Sequence, residues 1–261
     1  VQTFVLEPGS APLLVSLPHD GSFVPEDIAA RLTPAALALP DTDWHVARLY
    51  AVARAFDASI LRPYASRYVV DLNRSPEGSA LYPGRRETGL VPTVTFADEP
   101  VWQPGAEPDA AEVAARVDAW WRPYHAALKD ELARLRRRHP RVVLWEGHSI
   151  RSRVPMLFEG RLPDFNLGTA DGASCGPALR ESLARELATF EGRTHAVDGR
   201  FRGGWITRHY GRPRDGVHAV QLELAQCTYM DEDSFAWDED GAARVQREIG
   251  RLLRVCLGIA G

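Results

Sequence analysis

The stretch "VVLWEGHSIRS", residues 142–152, decides how the chain is read. Four apolar residues run straight into Glu146, Gly147, His148 and Ser149. A short apolar run of this kind reads as a strand buried on both faces, the type found in parallel sheets. Because side chains alternate along a strand, Glu146 and His148 fall on one face. A carboxylate and an imidazole where a buried strand emerges suggest a site at the edge of a sheet.

Working outward, further short apolar runs predict strands at 12–19, 58–63, 66–72, 141–148, 154–159 and 217–224. Helical spacing predicts helices over about 41–56, 110–138, 176–190 and 240–257. The longest carries Val113, Val117, Trp121, Tyr124, Leu128, Leu132 and Leu135 on one face, a core stripe. Pro123 inside it is expected to kink or break it. Strands alternating with helices give an α/β fold: three layers, αβα, around a mostly parallel or mixed sheet. The chain of 261 residues is read as a single domain, 1–261. Residues 75–109 are rich in Gly and Pro and carry Tyr82, Phe96 and Trp102. They are expected to form an ordered loop excursion over one side of a site.

Composition excludes several classes. Net charge is −4, which argues against a protein that binds nucleic acid by neutralising phosphates. The basic run "RLRRRHPR" at 134–141 reads as the solvated C-terminus of a helix. Cysteines 175, 227 and 256 are odd in number and include no C-x-x-C pair, so a reducing cytoplasm is expected. No stretch reaches the ~18 apolar residues of a membrane span, and "VQTFVLEPGS" has no secretory pattern.

Polar residues recur at the ends of the predicted strands: His19, Asn73-Arg74, His148 and Glu223. In open α/β sheets ligands gather at the carboxyl ends of strands, so the four endings suggest one shared site. In "VHAVQLEL" Ala219, Gln221 and Glu223 share one face, and Val220, Leu222 and Leu224 the other. Each histidine also has a plainer reading, His19 in a turn and His148 satisfied within the core. Asp43, in "DTDWHVARLY", is either an acid in the first turn of a helix capped by Asp41 or a third metal ligand. Two histidines and one carboxylate with an open fourth position is a known catalytic zinc set. There is no H-E-x-x-H and no P-loop, and "GHSIR" lacks the second glycine of a serine-hydrolase elbow.

The motifs "LPHDGSFVP", "DTDWHVARLY", "SRYVVDLNRSPEG", "LYPGRRETGL", "PYHAALKDEL", "GHSIRS", "GGWITRHYG" and "VQLELAQCTYMDED" together resemble the N-formylglutamate amidohydrolase family, over residues of about 12 to 235. The resemblance implies a fold related to zinc-dependent exopeptidases. It also implies a Zn2+-dependent hydrolase that releases formate from N-formyl-L-glutamate in histidine degradation. It makes His19, Asp43 and His148 the metal ligands and Glu223 the general base. Arg67 would polarise the scissile carbonyl. Asn73 and Arg74 would grip one substrate carboxylate, with Arg85, Arg86, Arg208 or His209 for the second. One departure stands out. The family often has Asp two residues before the second histidine, where this chain has Glu146, which either stands behind His148 or rivals Asp43 as a ligand. The partner expected is a small N-acyl amino acid, with no nucleic acid and no membrane, acting on a monomer or small homo-oligomer. The alternatives are a zinc deacylase or carboxypeptidase for another N-acyl amino acid, and a non-catalytic carboxylate binder of the same fold.

Overall fold

The structure, a computed structural model, describes residues 2–79, 81, 84 and 86–260. Tyr82 and Arg85 lie outside the described residues.

In chain order the elements are β1 (Phe4–Glu7), β2 (Leu13–Ser16), α1 (Glu26–Ala29), α2 (Pro34–Leu37), α3 (Val46–Leu49), β3 (Ser59–Pro63), α4 (Ala110–Arg116), α5 (Arg122–Arg136) and β4 (Val142–Ile150). They continue with β5 (Phe165–Gly168), α6 (Pro177–Leu187), β6 (His195–Val197), α7 (Trp205–Tyr210), β7 (Val217–Ala225) and α8 (Glu239–Ala260). The seven strands form one mixed sheet in the order β1-β3-β2-β4-β7-β5-β6. Strands β3, β2, β4 and β7 are parallel neighbours at its centre. β1 is antiparallel to β3, and β5 to β7.

Strand alternation sorts the core into two faces. Leu13, Val15, Val143, Trp145, Val220, Leu222 and Leu224 pack with residues of α3, α6 and α8. Leu14, Val142, Leu144 and Ala219 pack with Tyr124, Leu128, Leu132 and Leu135 of α5. This is the expected three-layer arrangement, helices covering both faces of a mixed sheet. Every residue of β2 and β4 is buried, which is why they read as unbroken apolar runs.

Several elements differ from expectation. Residues 66–72 and 154–159 form turns, not strands. Arg67 and Asp71 meet at 2.8 Å, whereas four residues along a strand would separate them by roughly 13 Å. At 154–159 the amides of Leu157 and Phe158 both return to Val154 O, at 2.8 and 3.0 Å. The region 41–56 is not one helix. His45 adopts left-handed φ 64°, so α3 begins only at Val46, and a 3₁₀ segment, Tyr50–Phe56, follows it. Asp41 does not cap it: its carboxylate accepts from Tyr68 OH at 2.7 Å and Phe96 N at 3.0 Å. Between α4 and α5 a five-residue π-turn, Val117–Trp121, replaces the break expected at Pro123. Proline lacks an N–H and its ring crowds the preceding turn, and the wider π-turn makes room for both. Strands β1, β5 and β6 were not expected; they are three or four residues long, too short to show a period.

In the described part of the excursion, Trp102 is buried against Leu32, and its Nε1 donates to Pro92 O at 2.9 Å. Among the described residues no helix is long and apolar enough to cross a membrane.

Candidate active site

β2 runs out through Leu17 and Pro18 to His19, and β4 carries His148 near its carboxyl end. β7 pairs with β4 in parallel register, Glu146 beside Gln221 and His148 beside Glu223. The sheet thus brings two histidines and a glutamate to one edge. Asp43 arrives on the turn before α3. Its amide donates to His19 O at 3.1 Å, and its Oδ2 accepts from Ser149 N at 3.0 Å. The backbone therefore ties Asp43 to both histidine-bearing segments.

Each imidazole is gripped from behind through Nε2. His19 Nε2 donates to Asp71 Oδ1 at 2.7 Å, and His148 Nε2 donates to Glu146 Oε1 at 2.6 Å. The two Nδ1 atoms are left facing a common centre. Asp43 Oδ2 lies 3.1 Å from His148 Nδ1 and 3.9 Å from His19 Nδ1. One donor atom from each of His19, Asp43 and His148 falls within 4.8 Å of the others, and all three residues are buried. A carboxylate behind each imidazole is the support that metal-ligating histidines ordinarily have.

Charge agrees with geometry. The carboxylates of Asp43, Asp71, Glu146 and Glu223 are all buried around the buried guanidinium of Arg67. Buried excess charge is costly unless neutralised. Burial alone would push the His148 pKa down, but the carboxylates of Glu146 and Asp43 outweigh it and hold the ring well above its ordinary value. Burial raises Glu223 to about 8, with Asp43 and Glu146 adding and His148 and Arg67 opposing. Burial likewise pushes Asp71 up, but His19, Arg67 and Arg74 pull it well below the usual carboxylate range. For His19 burial dominates and lowers its pKa. A divalent cation at this group would offset the excess. The set of two imidazole Nδ1 atoms and one carboxylate oxygen could hold a metal ion.

Glu146 lies on the Nε2 side of His148, away from Asp43. Its Oε2 accepts from Thr207 N at 3.1 Å and from the Thr207 hydroxyl, and its Oε1 accepts from Asn73 Nδ2 as well as from His148. Asn73 is occupied at both ends, since its Oδ1 also accepts from Ile206 N at 2.9 Å. The α7 segment thus buttresses the group from the side: Gly204 N donates to Gln221 Oε1 at 2.6 Å, and Gln221 Nε2 donates to Glu223 Oε2 at 3.2 Å.

His19, Asp43, Arg67, Asn73, Arg74, His148 and Glu223 all line one cleft that opens to solvent. Arg67 is buried, its Nη2 donating to Asp71 Oδ2 at 2.8 Å, with Phe96 4.9 Å away. Arg74 Nε donates to Thr88 O at 2.8 Å. Of the other cations expected for substrate, Arg208, His209 and Arg86 do not line the cleft. Arg208 and His209 are on the exposed side of α7, where Arg208 Nε donates to Gly203 O at 2.9 Å and His209 stacks on Trp205 at 4.1 Å. It is Ile206 and Thr207 of the same motif that face inward. Arg86 is exposed and paired with Asp98. Arg85 lies outside the described residues. Sequence reasoning missed Asp71, Thr207, Gln221 and Arg200. Asp71 and Gln221 carried a usable signal, since each lies two residues from a chosen site residue.

The fold is of the α/β class: a mixed sheet with a buried group at its carboxyl edge that could hold a metal ion, and a glutamate beside it. The chain belongs to the N-formylglutamate amidohydrolase family, whose model matches residues 11–230. An N-formylglutamate deformylase of Pseudomonas aeruginosa is 50% identical over 250 residues, covering 95% of this chain and 94% of that protein. One from Pseudomonas putida is 47% identical, covering 95% and 93%. The crystal structure of N-formylglutamate amidohydrolase from Ralstonia eutropha JMP134 matches with a TM-score of 0.81 at 28% identity, over 100% of this chain and 97% of that one.

Proposed function

We propose that the chain is a zinc-dependent deformylase that hydrolyses N-formyl-L-glutamate to formate and L-glutamate, in cytoplasmic histidine degradation. The observation that carries this reading is the register of β4 with β7. It sets Glu223 beside His148, whose Nδ1 converges with those of His19 and Asp43 Oδ2. Free Cys175, Cys227 and Cys256 agree with a reducing compartment.

Zinc held by His19, Asp43 and His148 would supply Lewis acidity toward water and the formyl carbonyl. The chain's own groups do the rest. Glu223 takes a proton from the attacking water as its oxygen adds to the formyl carbon. The same carboxyl returns that proton to the amide nitrogen as the C–N bond breaks, leaving formate and a free amine. Its place beside His148, lining the cleft, suits Glu223 to both transfers. Arg67, fixed by Asp71, donates to the oxygen that becomes negative. Arg74, with its fork of donors, holds a carboxylate of the substrate.

The test is formate release from N-formyl-L-glutamate, with and without a chelator, against N-acetyl-L-glutamate. Turnover of the formyl compound should vanish on chelation and return with zinc. The acetyl compound should be at least about ten-fold slower, since one extra methyl must be forced into the cleft. Equal rates on both would replace this reading with a general deacylase.

A further inference from the structure

We infer that Arg200 reads the side-chain carboxylate of the substrate and so confines the enzyme to N-acyl amino acids with an acidic side chain. The inference rests on the deformylase reading of the cleft. A glutamate derivative presents two carboxylates, and among the described residues three guanidiniums line the cleft: Arg67, Arg74 and Arg200. Arg67, 6% exposed and paired with Asp71, is the one assigned above to the scissile carbonyl. Arg74 and Arg200 are half-buried and come from different parts of the chain.

Their supports differ in kind. Arg74 follows Asn73, whose side chain is bonded to Glu146, and Trp121 Nε1 donates to Arg74 O at 3.1 Å. It is therefore tied to the histidine group and suits the carboxylate nearest the scissile bond. Arg200 follows β6. Its Nε donates to Leu157 O at 2.7 Å, and its guanidinium lies 5.3 Å from the Phe201 ring. Phe201 in turn packs on Phe158 at 6.1 Å. These residues surround a small apolar cluster of Phe96, Ile150, Val154 and Leu162, separate from both cores of the sheet. Leu157 and Phe201 line the cleft beside Arg200, a surface fitted to the two methylenes of a glutamyl side chain with a cation for its head. Glu87 also lines the cleft, its Oε1 accepting from Leu81 N at 2.8 Å.

The experiment compares kcat and KM for N-formyl-L-glutamate and its neutral isostere N-formyl-L-glutamine in wild type, Arg200→Gln and Arg200→Lys. Wild type should prefer glutamate by at least about thirty-fold in kcat/KM, the worth of a charge-assisted fork. Arg200→Gln should lose that preference almost entirely, through KM for glutamate, with glutamine turnover within about three-fold of wild type. Arg200→Lys should keep part of the preference, having the charge but not the fork. Turnover of the glutamine compound is the check on folding. An unchanged glutamate-to-glutamine ratio in Arg200→Gln overturns the assignment. So does an equal loss on both substrates in both variants, which would give Arg200 a part in folding or chemistry. Wild type that hydrolyses neither compound would refute the deformylase reading itself.

Discussion

At the scale of single residues the two buried glutamates of the site, Glu146 and Glu223, differ in their surroundings. Glu146 bonds His148 Nε2 and is locked by Thr207 and Asn73, whereas Glu223 lines the open cleft with one oxygen steadied by Gln221. Glu223→Gln is nearly isosteric but cannot accept a proton. It should keep near-normal zinc and thermal midpoint while kcat falls by ~10²-fold or more. Glu146→Gln should weaken zinc binding by roughly 10–100-fold, as loss of such a support does. Metal titration and kcat on both variants check these roles, and zinc loss in Glu223→Gln with retention in Glu146→Gln would reverse them. The strand-end residues His19, His148 and Glu223 were legible because a polar group closing an apolar run is unusual. Asp43 was ambiguous, since an acid near a helix start looks the same whether it meets a dipole or a metal. Arg200 carried no signal: it follows a three-residue strand in an aperiodic segment.

At the scale of elements, α7 holds the two glutamate-bearing strands in register with the turn that carries Asn73. Gly204 begins α7 with φ −78°, a conformation open to any residue, so glycine is required there for space. A Cβ on it would collide with the side-chain amide of Asn73, which is pinned between Glu146 and Ile206. Gly204→Ala should therefore cost about 1–3 kcal/mol and lower kcat/KM at least about ten-fold. Gly258→Ala in α8, with open space around it, should instead leave activity alone and stabilise by about 0.5–1 kcal/mol. Thermal melts with kinetics on both variants decide the matter, and a harmless Gly204→Ala would remove α7 from this role. The strands buried on both faces were plain in the sequence. Residues 154–159 misled because their apolar side chains fill a local cluster rather than a sheet. At 66–72 a β-branched run was bent by the need to join Arg67, Asp71 and His19.

For the molecule as a whole, one buried histidine ties stability to pH. His125 donates through Nε2 to Leu72 O at 2.9 Å, accepts at Nδ1 from Tyr210 OH at 3.0 Å, and stacks on Trp121 at 3.7 Å. Burial, with His209 adding, lowers its pKa to about 3. The native state therefore binds fewer protons than the unfolded chain between about pH 6.5 and 3. The stability it contributes is complete above pH 6.5 and is lost as pH falls through that window. His125→Asn should reduce stability at pH 7.5 and flatten its decline between pH 6.5 and 5 by up to about 1.4 kcal/mol per pH unit. Denaturant melts across that range test it, and parallel declines in variant and wild type would place the proton uptake elsewhere.

The nine-residue pairing of β4 with β7 has a consequence for how the enzyme is made. β5, α6, β6 and α7 all lie between those strands in the chain, so their parallel ladder closes a long loop. Contacts of that kind form slowly, because closure entropy precedes their reward. On the ribosome His19, Asp43 and His148 emerge first, and Glu223 follows only with the strand that completes the sheet's centre. On this reading a nascent chain has its metal ligands well before its base. A product truncated ahead of Val217 would be hydrolytically silent, so formate release reports a finished chain.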